Sequence, residues 1–421
     1  MKRIILFLVI TTIISYAQDE NDKWRFSGQF QLRGELDGRD FSNESPLLEF
    51  VSLRTRVGVQ KSIGLLNFFV QFQDSRVFGE EQNTLSSISN IDLHQGYVEL
   101  KNIFNIPINI QAGRFEVVYG TERFFGAVGW HYIGRSWDGI RLSYTNKIKL
   151  DIFGLTQFES TPYIGNGSPS IYPISPQTTS SSRVLGFWTT YGTAQVNCVD
   201  LFGYFESDNR RNLAGDVNLK RFTTGLNLVK SYKMINATAE AAYQFGETES
   251  MDISSYLISF KVNLARNWWK IGAGADIISG TDPRNISLKV NAFNPVFGTN
   301  HKFYGYMDYF INIPSNTLQL GLNDFYGGIL IQPAGSKFSC ALDFHHFTSN
   351  KPINISNTLE PVFIEIFGQE IDLTLRYNFI EGTMISVGGS AFFPGDLMNL
   401  VLFFPREDVA FWSYVMITAN I

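Results

Sequence analysis

The chain reads as an all-β protein, a transmembrane antiparallel β-barrel of about 18 strands with short periplasmic turns and long extracellular loops. Three observations predict this class. Apolar and polar residues alternate with period two through most of the 421 residues. The gaps between alternating segments are short and long by turns: Tyr144 reaches Ile148 through Thr145-Asn146-Lys147, whereas the next gap runs from Phe158 to about Ser182. Charged residues make up only 17% of the chain and aromatic residues 15%, whereas about a quarter of a soluble protein's residues are charged.

The N-terminus has the layout of a secretory signal, expected to span residues 1–17. Lys2 and Arg3 are its basic region, Ile4 to Ile14 its apolar core, and Ser15-Tyr16-Ala17 a small-x-small cleavage site, so that Gln18 begins the mature chain. No later apolar run approaches the roughly 20 residues that a membrane-crossing helix needs. No break in composition divides residues 18–421, which are expected to form a single outer-membrane domain with lipid as its surroundings. Cys198 and Cys340 lie far apart inside candidate strands and read as small apolar residues rather than a disulfide. The net charge of -5 argues against nucleic acid as a partner.

Strands are expected to begin near Arg25, Glu49, Leu65, Asp92, Ile106, Trp137, Ile148, Ser182, Gln195, Lys220, Met234, Ile253, Trp269, Leu318, Lys337, Glu370, Met384 and Val409. The first, to Leu36, sets Phe26, Phe30 and Leu32 against Gln29, Gln31, Arg33 and Glu35. The second, to Lys61, sets Val51, Leu53, Val57 and Val59 against Ser52, Arg54, Arg56 and Gln60, and a turn near Ser62-Ile63-Gly64 follows. Farther on, Phe338, Cys340, Leu342 and Phe344 oppose Lys337, Ser339, Asp343 and His345; Ile371, Leu373, Leu375 and Tyr377 oppose Glu370, Asp372, Thr374 and Arg376. In a soluble sandwich the apolar face would point inward. In a barrel it meets lipid, and the polar face lines the lumen. The gap asymmetry and the N-terminal signal select the barrel.

An even count returns the C-terminus to the side where the N-terminus starts. Every long gap (37–48, 75–91, 118–136, 159–181, 280–317, 348–369, 393–408) follows an odd-numbered strand. The last strand alternates Phe411, Val415, Ile417 and Ile421. The aromatic pairs Phe68-Phe69, Phe124-Phe125, Trp268-Trp269 and Phe403-Phe404 suit either interfacial girdles or ordinary wall packing.

Gly113-Arg114, followed by a segment closing in Gly134-Arg135-x-x-Asp138-Gly139-x-Arg141-Leu142, resembles the alginate-export family of outer-membrane barrels. His301-Lys302-Phe303-Tyr304-Gly305-Tyr306-Met307-Asp308-Tyr309-Phe310 and, more weakly, Leu342-Asp343-Phe344-His345-His346-Phe347 carry the same resemblance. It implies an eighteen-stranded, porin-like channel that passes a polysaccharide or other solute, driven by a gradient or by periplasmic export components. All periplasmic turns look short, so gating would fall to extracellular loops folding inward.

The candidate pore-lining and substrate-binding residues are Arg33, Arg54, Arg56, Arg114, Arg135, Asp138 and Arg141. Forked guanidinium donors bind carboxylates in bidentate fashion, which would favour anionic saccharides or small acidic solutes. Arg114 fits the family motif, but its parity points outward; a β-bulge near Gly113 would bring it inside. The alternative is that these arginines pair with Glu35, Glu99, Asp138 or Asp151 and simply fill the lumen. Acidic residues (Asp200, Glu206, Glu240, Asp276, Asp343, Glu370, Asp372) gather in the second half, which would set a negative wall against a positive one and equally suits a general or nutrient-uptake porin. A barrel enzyme or surface-binding protein is the remaining alternative. The sequence has no G-x-S-x-G elbow, no phosphate loop and no His spacing for a metal, so no catalytic residue and no cofactor is expected.

Overall fold

The computed structural model describes residues 23–41, 46–80, 90–159, 181–193, 196–209, 218–249, 251–284, 289–356, 360–402 and 408–421, together with 163–164, 168–169, 211–212 and 215–216. The expected signal segment 1–17 and the Phe403-Phe404 pair lie outside the described residues.

Alternating sequence makes strands here because each strand has one face for lipid and one for the lumen. Eighteen long strands follow in chain order: β1 (Arg25–Gly38), β2 (Leu48–Ile63), β3 (Leu66–Val77), β4 (Ile91–Leu100), β5 (Ile108–Phe115), β6 (Trp137–Thr145), β7 (Ile148–Glu159), β8 (Ser181–Thr193) and β9 (Asn197–Asp208). Then come β10 (Leu219–Tyr232), β11 (Ile235–Thr248), β12 (Met251–Arg266), β13 (Trp269–Ile278), β14 (Leu322–Ile331), β15 (Phe338–Asn354), β16 (Phe363–Ile380), β17 (Thr383–Pro394) and β18 (Ala410–Asn420). Neighbours in sequence pair antiparallel throughout. β18 pairs with β1 from Phe411↔Gly38 to Asn420↔Gln29, which closes the barrel and leaves no free edge. Reciprocal backbone bonds of 2.9 Å between Gly28 and Ile421 finish that seam.

The outward face is apolar and bare of protein. Phe26, Val57, Phe72, Ile140, Leu185 and Phe411 are each more than half exposed. Connections after even-numbered strands are short, for example 64–65, 146–147 and 381–382, and the long ones follow odd-numbered strands.

Three expectations about elements change. The sixteenth strand begins at Phe363 rather than Glu370, and β15 runs on to Asn354, because their hairpin projects beyond the rest of the wall; the long gap expected at 348–369 narrows to 355–362. β14 begins at Leu322 rather than near Leu318, the preceding residues being taken up by a short helix, Ile313–Asn316, and the turn after it. No bulge occurs at Gly113: β5 pairs with β4 and β6 without a shift of register. Gly113 instead adopts a positive φ of 129°, and a Cβ there would lie 2.3 Å from the Gly96 carbonyl.

Candidate functional site

Two extracellular connections turn into the lumen rather than away from it. The loop 116–136 joins β5 to β6, and the loop 279–321 joins β13 to β14. Phe124 and Phe125 were candidates for an interfacial girdle. They are 1% and 0% exposed and pack in the lumen against Phe202, Phe293, Phe297 and Tyr204. An aromatic pair on a loop can bury itself only by entering the barrel, because the lipid-facing wall is one layer thick.

The two loops bind one another. Backbone bonds run from Gly126 to Phe297 (3.0 Å) and from Thr299 to Glu122 (2.9 Å), and Arg135 Nη1 donates to the Gly298 carbonyl at 3.3 Å. Lys302 Nζ lies 3.0 Å from Glu122 Oε1. The ring of Trp130 stacks on His301 at 4.5 Å, and His301 on Tyr306 at 5.3 Å.

The walls hold this assembly with charge. On β1 and β2, Arg33 Nη1 donates to the Trp130 carbonyl (2.8 Å), Arg54 Nη1 to the His131 carbonyl (2.8 Å) and Arg56 Nη2 to the Ile133 carbonyl (3.2 Å). Ser75 Oγ on β3 adds a bond of 2.7 Å to the Tyr132 carbonyl. On the far wall, Arg123 of the same loop meets Glu240 of β11 at 2.8 Å and Asp276 of β13 at 2.7 Å, and also binds Ser259 and Tyr304. Burial opposes the charge of Arg123, but Asp276, Tyr304 and Glu240 outweigh it and hold its pKa well above the ordinary value. The oppositely charged walls expected from sequence are therefore bridged by a loop that offers carbonyl oxygens to one and a guanidinium to the other.

The expected site residues are dispersed by this architecture. Arg33, Arg54 and Arg56 face inward but are only 5%, 3% and 7% exposed, because the loop covers them. Arg135 belongs to the loop assembly, and burial alone lowers its pKa to about 10. Arg141 faces the lumen on β6, donates to Gln111 Oε1 and sits 5.2 Å over the Phe115 ring. Arg114 and Asp138 are corrections. With the register unbroken they share the outward face with Ile110, Ala112, Ile140 and Leu142, where they form an exposed ion pair of 2.8 Å.

Beneath the loops, toward the short-turn end of the strands, lies a cavity of about 610 Å³. Its roof includes Val118 to Thr121, Arg123, Lys302, Phe303 and Tyr306, and its walls include Lys149, Asp200, Glu240, Lys261, Tyr326, Asp343 and His345. Here the accessible charge is unbalanced. Lys149 and Lys302 have half of their side-chain surface exposed, and Lys261, 5.3 Å from the Tyr326 ring, is exposed too. Asp200 and Glu240 are each 3% exposed and bound by Asn227 and by Arg123 and Thr121, while Asp343 is half-buried. None of these lysines is among the site residues expected from sequence. Lys149 and Lys261 could have been found from strand parity, but nothing local marks Lys302 as a residue that enters the lumen.

The sequence pattern of the family described as alginate export matches residues 23–400. No curated protein matches the chain in sequence. Among solved structures the fold is similar to Acinetobacter baumannii OccAB1, at 10% identity over 97% of this chain and 99% of that one, with a TM-score of 0.63. It is also similar to Pseudomonas aeruginosa OccK2 (OpdF) in complex with glucuronate (8% identity, 95% and 98% covered, TM-score 0.59). A third similar structure is Pseudomonas aeruginosa OpdK with vanillate (8% identity, 94% and 98% covered, TM-score 0.56).

Proposed function

The chain belongs to the alginate-export family, an outer-membrane β-barrel channel by family and fold, and from that premise we propose that it conducts small acidic solutes, acidic monosaccharides among them, by diffusion. The observation that carries this reading is the sign of the accessible charge in the cavity: three lysine ammonium groups are exposed there, while two of the three carboxylates are buried against internal partners. An anion entering the cavity meets ammonium groups that stay half open to it even though Lys302 also binds Glu122 and the Thr121 carbonyl and Lys149 lies 3.4 Å from Asp151, whereas a cation finds mostly buried carboxylates. Phe303, Tyr306 and Tyr326 add partly exposed ring faces suited to a sugar ring. The glucuronate and vanillate of the two similar structures are both acidic, which supports the same class of solute.

The reading departs from an arginine-lined pore, since the accessible cations are chiefly lysines. It gives the chain no catalytic chemistry, and it leaves the general porin as the second outcome of the test. That test is the reversal potential under a salt gradient in planar bilayers, for the wild type and for Lys149→Glu/Lys261→Glu/Lys302→Glu. Anion preference in the wild type that reverses in the triple variant supports the proposal. Weak selectivity that ignores the substitutions would leave a general porin.

A further inference from the structure

The arginines of β1 and β2 form a graded series along the wall, and each uses its fork in the same way. Arg54 grips Gln31 Oε1 (2.5 Å) with one nitrogen and the His131 carbonyl (2.8 Å) with another. Arg33 holds Glu35 (2.7 Å) through Nε and the Trp130 carbonyl (2.8 Å) through Nη1. Arg56 holds Gln73 (2.6 Å) and Glu116 (3.1 Å) and reaches the Ile133 carbonyl (3.2 Å) with its remaining nitrogen. In every case part of the guanidinium is fixed to side chains at its base and part to the backbone of the incoming loop. All three arginines reach main-chain oxygens of residues 130–133, and Arg56 alone also holds a loop side chain, that of Glu116 at the loop's start.

We propose that Arg33, Arg54 and Arg56 are positioning residues that fix the loop 130–133 against the wall and so set the aperture of the channel, while the cavity lysines set its charge selectivity. The chemistry requires a planar, rigid fork with several donors. Lysine offers one flexible ammonium and cannot hold wall and loop in a fixed geometry at once. The loop's other end is tied by Arg123 to Glu240 and Asp276, all three at most 3% exposed. Anchored at both ends, the loop is a strut across the lumen. The division of labour rests on the channel reading above.

The decisive variant preserves charge: Arg33→Lys/Arg54→Lys/Arg56→Lys, recorded as single-channel current with reversal potential. The expected result is loss of the uniform conductance level, replaced by fluctuating substates, with the wild-type reversal potential retained. Wild-type traces from this variant would overturn the proposal. A shifted reversal potential over unchanged traces would overturn it as well, by making the arginines solute-facing charges. Where the triple variant does not assemble, Gly134→Ala replaces it. Gly134 has a φ of 78°, and a Cβ there would stand 2.5 Å from Arg56 Nη2, so the substitution displaces the same grip without touching a charge. In a channel lacking residues 119–134, Arg54→Lys is expected to have no further effect on conductance steps, a coupling that general loss of stability would not produce. The two readings fail separately: indifference to the lysine variants removes the solute class, and indifference to the arginine variants removes the strut.

Discussion

At the scale of single residues, burial decides which charges can act on a solute. Arg54 and Lys261 carry the same formal charge on lumen-facing positions, yet one is 3% exposed under a loop and the other stands open to the cavity. Glu116, at the foot of the loop, shows how a carboxylate enters this scheme. Burial pushes its pKa up, but the hydrogen bond from His94 (2.7 Å) and the charge of Arg56 (3.1 Å) outweigh it and leave the value below 4.5. A carboxyl with a folded pKa below its unfolded one adds stability that is present above the unfolded value and lost as pH falls through the folded one. The link between Arg56 and Glu116 is therefore intact at neutral pH and lost only below the ordinary carboxylate range. Current recorded while pH is lowered from 7 to about 3 should stay quiet until that range is passed and then become noisy; Glu116→Gln should be noisy at pH 7.

At the scale of elements, the barrel depends on its seam. β18 meets β1 over the register Gly38↔Phe411 to Gln29↔Asn420, and the final backbone bonds join Gly28 to Ile421. A sheet that closes has no unpaired ladder in lipid, where each orphaned backbone group costs several kcal/mol. Removing residues 418–421 exposes the end of β1 and is expected to lower the temperature at which the detergent-refolded barrel loses its compact electrophoretic mobility by several degrees. An unchanged transition would show that the seam ends before Thr418. The strands were legible because period two survives any loop insertion, and all eighteen appear close to where alternation places them. The starts of β14 and β16 shifted for a local reason: Pro314 opens a short helix that polar spacing does not announce, and β15 and β16 extend into a hairpin whose residues beyond the bilayer need not alternate.

At the scale of the whole molecule, the lumen is narrowed by its own loops, and this sets what can pass. With the loops 116–136 and 279–321 packed around Phe124, Phe125, Phe293 and Phe297, the lumen is far narrower than the barrel that encloses it. Liposome swelling should therefore be rapid with a hexuronate and fall steeply with tri- and tetrasaccharides of the same acid. Deleting residues 119–134 should flatten that dependence; a steep dependence retained in the deletion would place the size limit elsewhere.

The order of residues by itself determined the membrane class, the strand number, the side on which long loops lie and the facing of most wall residues, because each follows from short-range alternation that lipid and water enforce strand by strand. It also divided basic from acidic lumen positions. Only the tertiary structure decided that Arg33, Arg54 and Arg56 hold a loop, that Arg114 and Asp138 pair on the outside, and that Lys302 joins Lys149 and Lys261 around one cavity. Those outcomes depend on where two long loops fold, and a loop's path is set by partners far away in sequence, 181 residues for Arg123 and Tyr304 and 270 for Tyr309 and Arg39, rather than by any pattern it carries itself.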